Sequence, residues 1–492
     1  MLFVELCGII YCEKFFVKEV RMTFYSPSFI FVFLPCFVLL YTVCGKKLRD
    51  IVLFGGSMLF YFLASGKDYL SVAILIAAVA FNYMAGILVG VSKGKTKKLV
   101  FGLCTAVNAV ALLSPKIISI VTDSFAQSLP EGLAIVAPIG FSFYMFKNMS
   151  YLRQIYDCKT NPELSFISLG AYLTLFSQVL SGPIQTYADF KKSRDEGAVG
   201  IVGINSGLYE FIIGLSLKIL LADRIIRVWT AGLYGINSIG VNSISTPLAW
   251  LGFIAYPLYL YFEFYGYSLM SRGIGRMIGF ETPDNFLHPY ISRSVSEFWR
   301  RWHITLGEWF KENVYFPLGG NRCGKGRTIF NLLIVWLCTG VWHALCFDGN
   351  GVNFLLWAAF LFLFILLERL GVLKVITENR VLSHIYLPAV ILFSWVIFNT
   401  NITTLADLGT YIGRLFPLFG EAPDYMNPDD WRVIIGDTGI FMAIGVVFLT
   451  PLPRRIYERF KDNKLLAITV MLVLFWLSVY LVFCEGANPM VY

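Results

Sequence analysis

Apolar runs close to the length of a bilayer crossing recur along this chain. A hydrocarbon layer of about 30 Å is crossed by about 20 helical residues, and only a helix or closed barrel satisfies its own backbone there. Windows with few or no charges fall at 28–44, 51–65, 69–91, 99–115, 134–156, 207–228, 247–270, 329–347, 351–368, 383–400, 437–452 and 465–484. The stretch 165–186 is also apolar, but Gly182-Pro183 interrupts it and predicts a segment that dips in and returns. The pattern predicts an all-α, polytopic integral membrane protein with about 11–13 membrane helices.

Composition strengthens that reading: 57% of residues are hydrophobic and 15% charged, too apolar for a soluble chain of 492 residues. The net charge of +8 would raise nucleic acid as a partner in a soluble protein. Here the basic residues occupy short loops: Lys46, Lys47 and Arg49; Lys93, Lys95, Lys97 and Lys98; and Arg454, Arg455, Arg459, Lys461 and Lys464. That is the positive-inside pattern, which makes the lipid bilayer the partner and excludes nucleic acid. It places these clusters in the cytosol and the N-terminus outside. The acidic balance of 401–436 fits the outer face. Ten cysteines form no C-x-x-C pair and read as small buried hydrophobes, so no metal is expected. Residues 1–21 carry scattered charges without a signal-peptide plan and predict an upstream extension or a disordered arm. Residues 22–492, without repeats or long linkers, predict a single membrane domain, so any chemistry must be built from its helices and the segments between them.

Four histidines occur, and two lie in aromatic, polar stretches: His303 in SEFWRRWHITLGEWFKENVYFPLGGNR and His343 in WLCTGVWHALC. An imidazole is costly to bury and exchanges protons near neutral pH, so an ionisable group inside a membrane protein is a functional candidate. The stretch 294–312 predicts one amphipathic helix, with Ser294 and Glu297 as a capping box and His303 beside Trp299, Leu306 and Phe310. Pro317 to Arg322 then ends it, and Gly319 and Gly320 permit unusual backbone angles. His343 has Thr339 and Gly340 one turn back, which leave room at the ring or let another helix approach. Trp336 and Trp342 supply aromatic walls. Packing competes as an explanation for each histidine. Lys218 can snorkel or pair with a carboxylate, Glu263 can orient a histidine or pair with a base, and Gln178 and Gln185 bracket the Gly182-Pro183 break. His288 and His384 carry no comparable context. Zincin, nucleophile-elbow and P-loop motifs are lacking. Two histidines in a membrane cavity suit acyl transfer, one taking the proton of an attacking hydroxyl while nearby donors stabilise the oxyanion.

The two histidine motifs together resemble the paired signature of the membrane-bound O-acyltransferase (MBOAT) superfamily, in its alginate O-acetyltransferase-like branch. PIGFSFYMFKNMSYLRQIYD (138–157), FSQVLSGPIQTYADF (176–190), YFEFYGYSLMSRGIGRMIGF (261–280) and the ending GANPMVY resemble further family blocks in order. The chain departs from the pattern at Glu263 and Leu269, where aspartates are usual, and at Tyr265, where a small residue is usual. The resemblance implies a multi-helix shell with re-entrant or interfacial helices around a central tunnel. It maps His343 to the catalytic histidine and His303 to its partner. Trp299, Trp302, Asn313, Thr339, Gly340, Trp342, Glu263 and Gln178 are the expected substrate- or tunnel-lining residues. It implies no tightly bound cofactor. The donor is an acyl thioester, foremost acetyl-CoA, on the cytosolic side of the cell membrane. The acceptor is an envelope polysaccharide, reached directly or through an extracytoplasmic transferase. D-alanyl transfer to teichoic acid is the alternative within the family. A proton-coupled transporter is the alternative from another class, but no inverted repeat supports it.

Overall fold

A computed structural model describes residues 21–124, 137–197, 199–234, 243–346, 351–399, 404–416, 428–460 and 462–486. The N-terminal extension up to residue 20, residues 401–403 and 417–427 of the 401–436 loop, and the ending after Gly486 lie outside the described residues. The regular elements of the described residues are all helices, as the apolar windows predict. In order they form α1 (Leu34–Val43), α2 (Lys46–Ala64), α3 (Tyr69–Val91), α4 (Gly94–Ser124), α5 (Phe141–Tyr156), α6 (Phe166–Thr174), α7 (Tyr187–Glu196) and α8 (Ile201–Ser216). Next come α9 (Asp223–Tyr234), α10 (Thr246–Met277), α11 (Val295–Arg301), α12 (Ile304–Phe310), α13 (Lys325–Cys346) and α14 (Val352–Arg369). The last are α15 (Lys374–Glu378), α16 (Arg380–Phe398), α17 (Leu405–Leu415), α18 (Asp430–Phe448), α19 (Leu452–Phe460) and α20 (Lys464–Glu485).

Among the described residues, seven helices are long and apolar enough to cross a membrane: α3, α4, α13, α14, α16, α18 and α20. The protein is a multi-pass membrane protein. The other expected spans are helical but differ from simple crossings. The 28–44 window is a five-residue π-turn (Phe29–Phe33) joined to α1, and the 134–156 window holds only the 16 residues of α5. The 207–228 window is α8 and α9 joined through a π-turn at Leu217–Ala222. A hydropathy window sums apolar residues wherever they stand, so it does not register where a helix begins or which charges it buries. The 165–186 stretch is the nine-residue α6 followed by a buried, non-helical run. Gly182 is required there, because a Cβ would sit 2.6 Å from the Gln178 Cα and the Ser271 Oγ.

The chain forms two compact units, 1–112 with 136–211 and 270–282, and 113–135 with 212–269 and 283–492. The first is centred on a phenylalanine cluster in which Phe176 packs edge-on against Phe33 and Phe37, with ring centroids 5.4 and 4.8 Å away. Polar groups on its helices find partners, as in the reciprocal amide pair of Asn82 and Asn108. The second holds a larger aromatic core on α10, α14 and α16. There α9 crosses α10 through glycines: a Cβ on Gly232 would lie 2.8 Å from the Gly252 Cα, and one on Gly252 3.0 Å from the Gly232 Cα. Trp229 packs on Tyr256 and Tyr411 beside this crossing, and the Tyr411 hydroxyl donates to the Ala249 carbonyl.

Gly252→Val is therefore expected to destabilise the fold by about 1–3 kcal/mol, the usual cost of overpacking. A lowered thermal midpoint of the detergent-purified protein checks this, and an unchanged midpoint contradicts it.

Candidate functional site

The segment expected to be one helix over 294–312 is broken in two at its histidine. The Ser294 Oγ accepts the Glu297 N–H (3.0 Å), so the expected cap is present. The Glu297 carboxylate reaches the Arg293 N–H instead of closing a reciprocal box on Ser294. Helix α11 ends at Arg301; Trp302 is extended and His303 adopts left-handed angles (φ 45°, ψ 55°). A non-glycine residue there is strained and persists only where its surroundings over-determine it.

The loop 283–291 supplies that determination. Phe286 and Trp302 form an antiparallel bridge, the Leu287 N–H donates to the Arg301 carbonyl (2.9 Å) and the Ile304 N–H to the Asn285 carbonyl (3.0 Å). The Asn285 Oδ1 accepts the Thr305 N–H (3.3 Å) and the Thr305 hydroxyl (3.0 Å), capping α12 from outside its own chain segment. These bonds replace the helical ones lost at the break, which is why a periodic sequence does not make a continuous helix here.

The same asparagine fixes the imidazole. His303 Nδ1 lies 3.0 Å from Asn285 Oδ1. A backbone N–H can only donate, so the Thr305 bond identifies the Asn285 atom as oxygen. His303 Nδ1 must then carry the proton, so Nε2 is the unprotonated nitrogen of the neutral ring. Asn285 Nδ2 donates to Ser268 Oγ (3.1 Å), and Phe264 stands edge-on to the imidazole (4.7 Å).

After α12 the chain makes a π-turn at Lys311–Tyr315 and a tight turn with Gly319 (φ 103°) and Gly320 (φ 56°). Asn331 on α13 donates to the Leu318 and Gly320 carbonyls, and Arg369 to Asn321. At its start the Val295 and Ser296 N–H groups donate to Glu368, so the excursion starts and finishes beside the end of α14, with Trp302 and His303 between. The apex meets the bundle of α13, α14 and α16, where Trp302 packs on Trp395 (4.9 Å) and Trp299 on Trp336 and Trp357 (5.4 and 5.5 Å).

His343 lies in the last turn of α13 among Trp342 (4.2 Å), Phe354 (5.6 Å), Trp357 (5.4 Å) and Phe398 (5.0 Å). Trp357 also contacts Trp395 (6.3 Å), so one aromatic cluster joins the hairpin to His343. His303 is 9% exposed and His343 6%. The buried indole N–H groups of Trp299 and Trp357 have no hydrogen-bond acceptor among the described residues.

The model for MBOAT, the membrane-bound O-acyltransferase family, matches residues 141–402, a stretch containing both histidines and the hairpin. The chain belongs to this family. It is 32% identical over 413 residues to the probable alginate O-acetylase AlgI of Pseudomonas syringae pv. tomato, covering 81% of this chain and 76% of that relative. It is 29% identical to the peptidoglycan O-acetyltransferase of Helicobacter pylori, over 68% of each chain. It is 28% identical to the teichoic acid D-alanyltransferase of Bacillus subtilis, over 43% of this chain and 55% of that one. The protein is an O-acyltransferase of the alginate O-acetylase-like branch.

Within this MBOAT protein, Trp299, Trp302 and Trp342 stand with the histidines. Gly340 serves the second of its two expected roles: a Cβ there would meet Ala358 Cβ at 2.8 Å, so it brings α13 against α14. Thr339 donates to the Val335 carbonyl on its own helix, and Asn313 to the Trp309 carbonyl one turn back. Glu263 pairs with a base and not with a histidine: its Oε2 lies 2.6 Å from Lys218 Nζ, which also meets Asp223 Oδ1 at 2.9 Å. Gln178, in the first unit, accepts from the buried Lys147 (3.1 Å) and donates to Gln185 (2.9 Å). Lys147 also donates to the Tyr172 carbonyl in the last turn of α6, where the negative end of a helix favours a cation. His384 contacts the Arg380 carbonyl on an exposed turn, and His288 shapes the loop that holds the hairpin.

Asn285, Trp357, Trp395 and Phe398 were not legible as site residues. No motif marks them, and only the folded chain brings them to the histidines.

Asn285→Ala is expected to lower acyl transfer per folded molecule by roughly ten- to hundredfold, because His303 loses the partner that sets its tautomer and ring angle. Asn285→Asp, which keeps an acceptor, is expected to retain more activity. Equal rates for Asn285→Ala and the parent protein would rule out this role.

Proposed function

We propose that the protein transfers an acyl group, foremost acetyl, from a cytosolic thioester such as acetyl-CoA to hydroxyls of an envelope polysaccharide. The transfer is direct or passes through an extracytoplasmic partner transferase. The observation that carries the proposal is the convergence of His303 and His343 in one buried aromatic cluster, the first with its Nδ1 held by Asn285. His343 takes the proton as the acceptor oxygen attacks the thioester carbonyl. The carbon–sulfur bond then breaks, and the imidazolium returns the proton to the departing thiolate. The carbonyl oxygen gains negative charge on the way, and the Trp357 indole N–H is the donor suited to receive it. His303 orients the reacting groups.

Charge supports the side from which the donor arrives. Arg322, Lys325, Arg327, Arg369, Lys374 and Arg380 gather at the end of the three-helix bundle where the hairpin begins and returns. Positive-inside bias makes that end cytosolic, in keeping with an external N-terminus, and the same charges attract a phosphate-bearing thioester. His343, in the last turn of α13, lies towards the opposite end, where an external acceptor approaches. Among the relatives' chemistries, acetyl transfer is favoured over D-alanyl transfer because the acetyltransferase likenesses extend over far more of the chain.

His343→Ala, at normal membrane abundance, is expected to reduce O-acylation of the cell's polymer by at least about a hundredfold. Mass analysis of the base-labile acyl groups measures this and identifies them. Retained acylation would refute the assignment, and alanine in place of acetate would move it to D-alanyl transfer.

Trp357→Phe keeps an aromatic ring, smaller than the indole, and removes the N–H. It is expected to lower kcat on the order of a hundredfold with KM nearly constant, the signature of a donor used in the transition state. An unchanged kcat would exclude the indole from that role.

A further inference from the structure

We propose that Glu368, at the end of α14, is a positioning residue for catalysis: it holds the His303 hairpin at its working depth and angle. The proposal rests on the assignment of the two histidines given above. Glu368 lies about 11 residues from Trp357 along the same helix, or three turns and 20°, so both side chains stand on one face of α14. One end of that face therefore holds the base of the hairpin, and the other packs against Trp299 of the hairpin and against His343.

The contact at the base is unusually complete. Glu368 Oε1 accepts the Val295 N–H (2.6 Å) and the Tyr386 hydroxyl (3.0 Å). Oε2 accepts the Ser296 N–H (3.0 Å) and the Ser296 hydroxyl (2.7 Å). Val295 and Ser296 open α11, and their N–H groups have no partner within that helix. Ser294 covers the next one, at Glu297. A carboxylate against the positive end of the helix is favourable for charge as well as for hydrogen bonding.

Backbone donors cannot rotate away, so two adjacent N–H groups on one carboxylate fix the axis of α11 against α14. Tyr386 fixes the carboxylate from α16. Seven residues of helix rise about 10 Å, so a tilt of about 6° at the base displaces the apex by about 1 Å. That displacement is large for a reacting geometry. Helix α11 is also far too short to hold its direction unaided. Asn285 sets the angle of His303 on the hairpin, whereas Glu368 sets where the hairpin places it.

The test is a double-mutant cycle in the full-length protein in membranes, with Glu368→Ala and Glu368→Gln made alone and with His303→Ala. Transfer is measured per folded molecule, alongside hydrogen exchange over 295–305. Glu368→Ala is expected to lower kcat by about ten- to hundredfold, leave the donor KM within about threefold, and loosen the 302–304 amides. Glu368→Gln, which keeps one acceptor oxygen, is expected to fall between. In the His303→Ala background, the further loss from Glu368→Ala is expected to shrink below about threefold, because both act through one group. Full multiplication of the two losses would overturn the proposal. So would a Glu368→Ala protein that is scarcer but turns over normally per molecule with 302–304 still protected. If His343→Ala stays active, the functional assignment falls. The exchange at 302–304 still decides whether Glu368 holds the hairpin.

Discussion

The site depends on one constraint: a chain that turns back inside an apolar bundle must find protein partners for every backbone group it frees. Each buried unsatisfied amide costs more than a hydrogen bond usually contributes. At Trp302 and His303 the helix stops, so the Arg301 carbonyl and the Ile304 and Thr305 N–H groups all need new partners. The loop 283–291 meets each of them, through the Leu287 N–H, the Asn285 carbonyl and the Asn285 side chain. The left-handed angles of His303 are the local consequence, and the orientation of its ring follows from the same asparagine. Backbone satisfaction and imidazole orientation are thus one arrangement, and the loop cannot lose the first without disturbing the second.

Aromatic packing completes what hydrogen bonding begins. Neither α11 nor α12, at seven residues each, is stable alone. Trp299 and Trp302 tie them to Trp336, Trp357 and Trp395, large rings that bury much area and prefer edge-to-face contacts. These contacts also line the neighbourhood of His343 with rigid, dry walls. A histidine there experiences little competing solvation, so a donor such as the Trp357 N–H acts on a developing charge with little screening.

The sequence locates the seven long apolar helices and singles out the two histidines that the fold brings into one aromatic cluster. Both follow from local signals: apolar runs of bilayer length, and ionisable groups set among aromatics. It is blind to the break at 302–303, because the periodicity of 294–312 is genuine and only the distant loop at Asn285 overrides it. It likewise anticipates a partner for Glu263 without deciding which, since the spacing of 45 residues to Lys218 carries no signal. Gly340 carries two readings in sequence, space at the ring or close helix approach, and the Ala358 contact selects the second. Glu368 is the intermediate case. It closes the 351–368 window as a carboxylate beside an apolar run, a visible anomaly whose purpose needs the α11 terminus to be seen.

The buried charges show how far polar groups can be carried into such a protein when their partners are built in. Lys218 is 2% exposed in its side chain and Glu263 1%, and breaking such a pair leaves a lone charge in a poor solvent. Lys218 belongs to a π-turn, Leu217–Ala222, and the Gly266–Gly214 contact lets α10 approach the backbone just before it. The wide turn and the missing side chains bring ammonium and carboxylate within 2.6 Å. Lys147 solves the same problem differently, with the Tyr172 carbonyl, the Gln178 amide oxygen and the face of the Tyr172 ring 4.4 Å away. Each lysine is held by groups that would be costly to leave unpaired. Their polarity is therefore accounted for by the fold, whereas His303 is held at strained backbone angles, the kind of outlier that points to function.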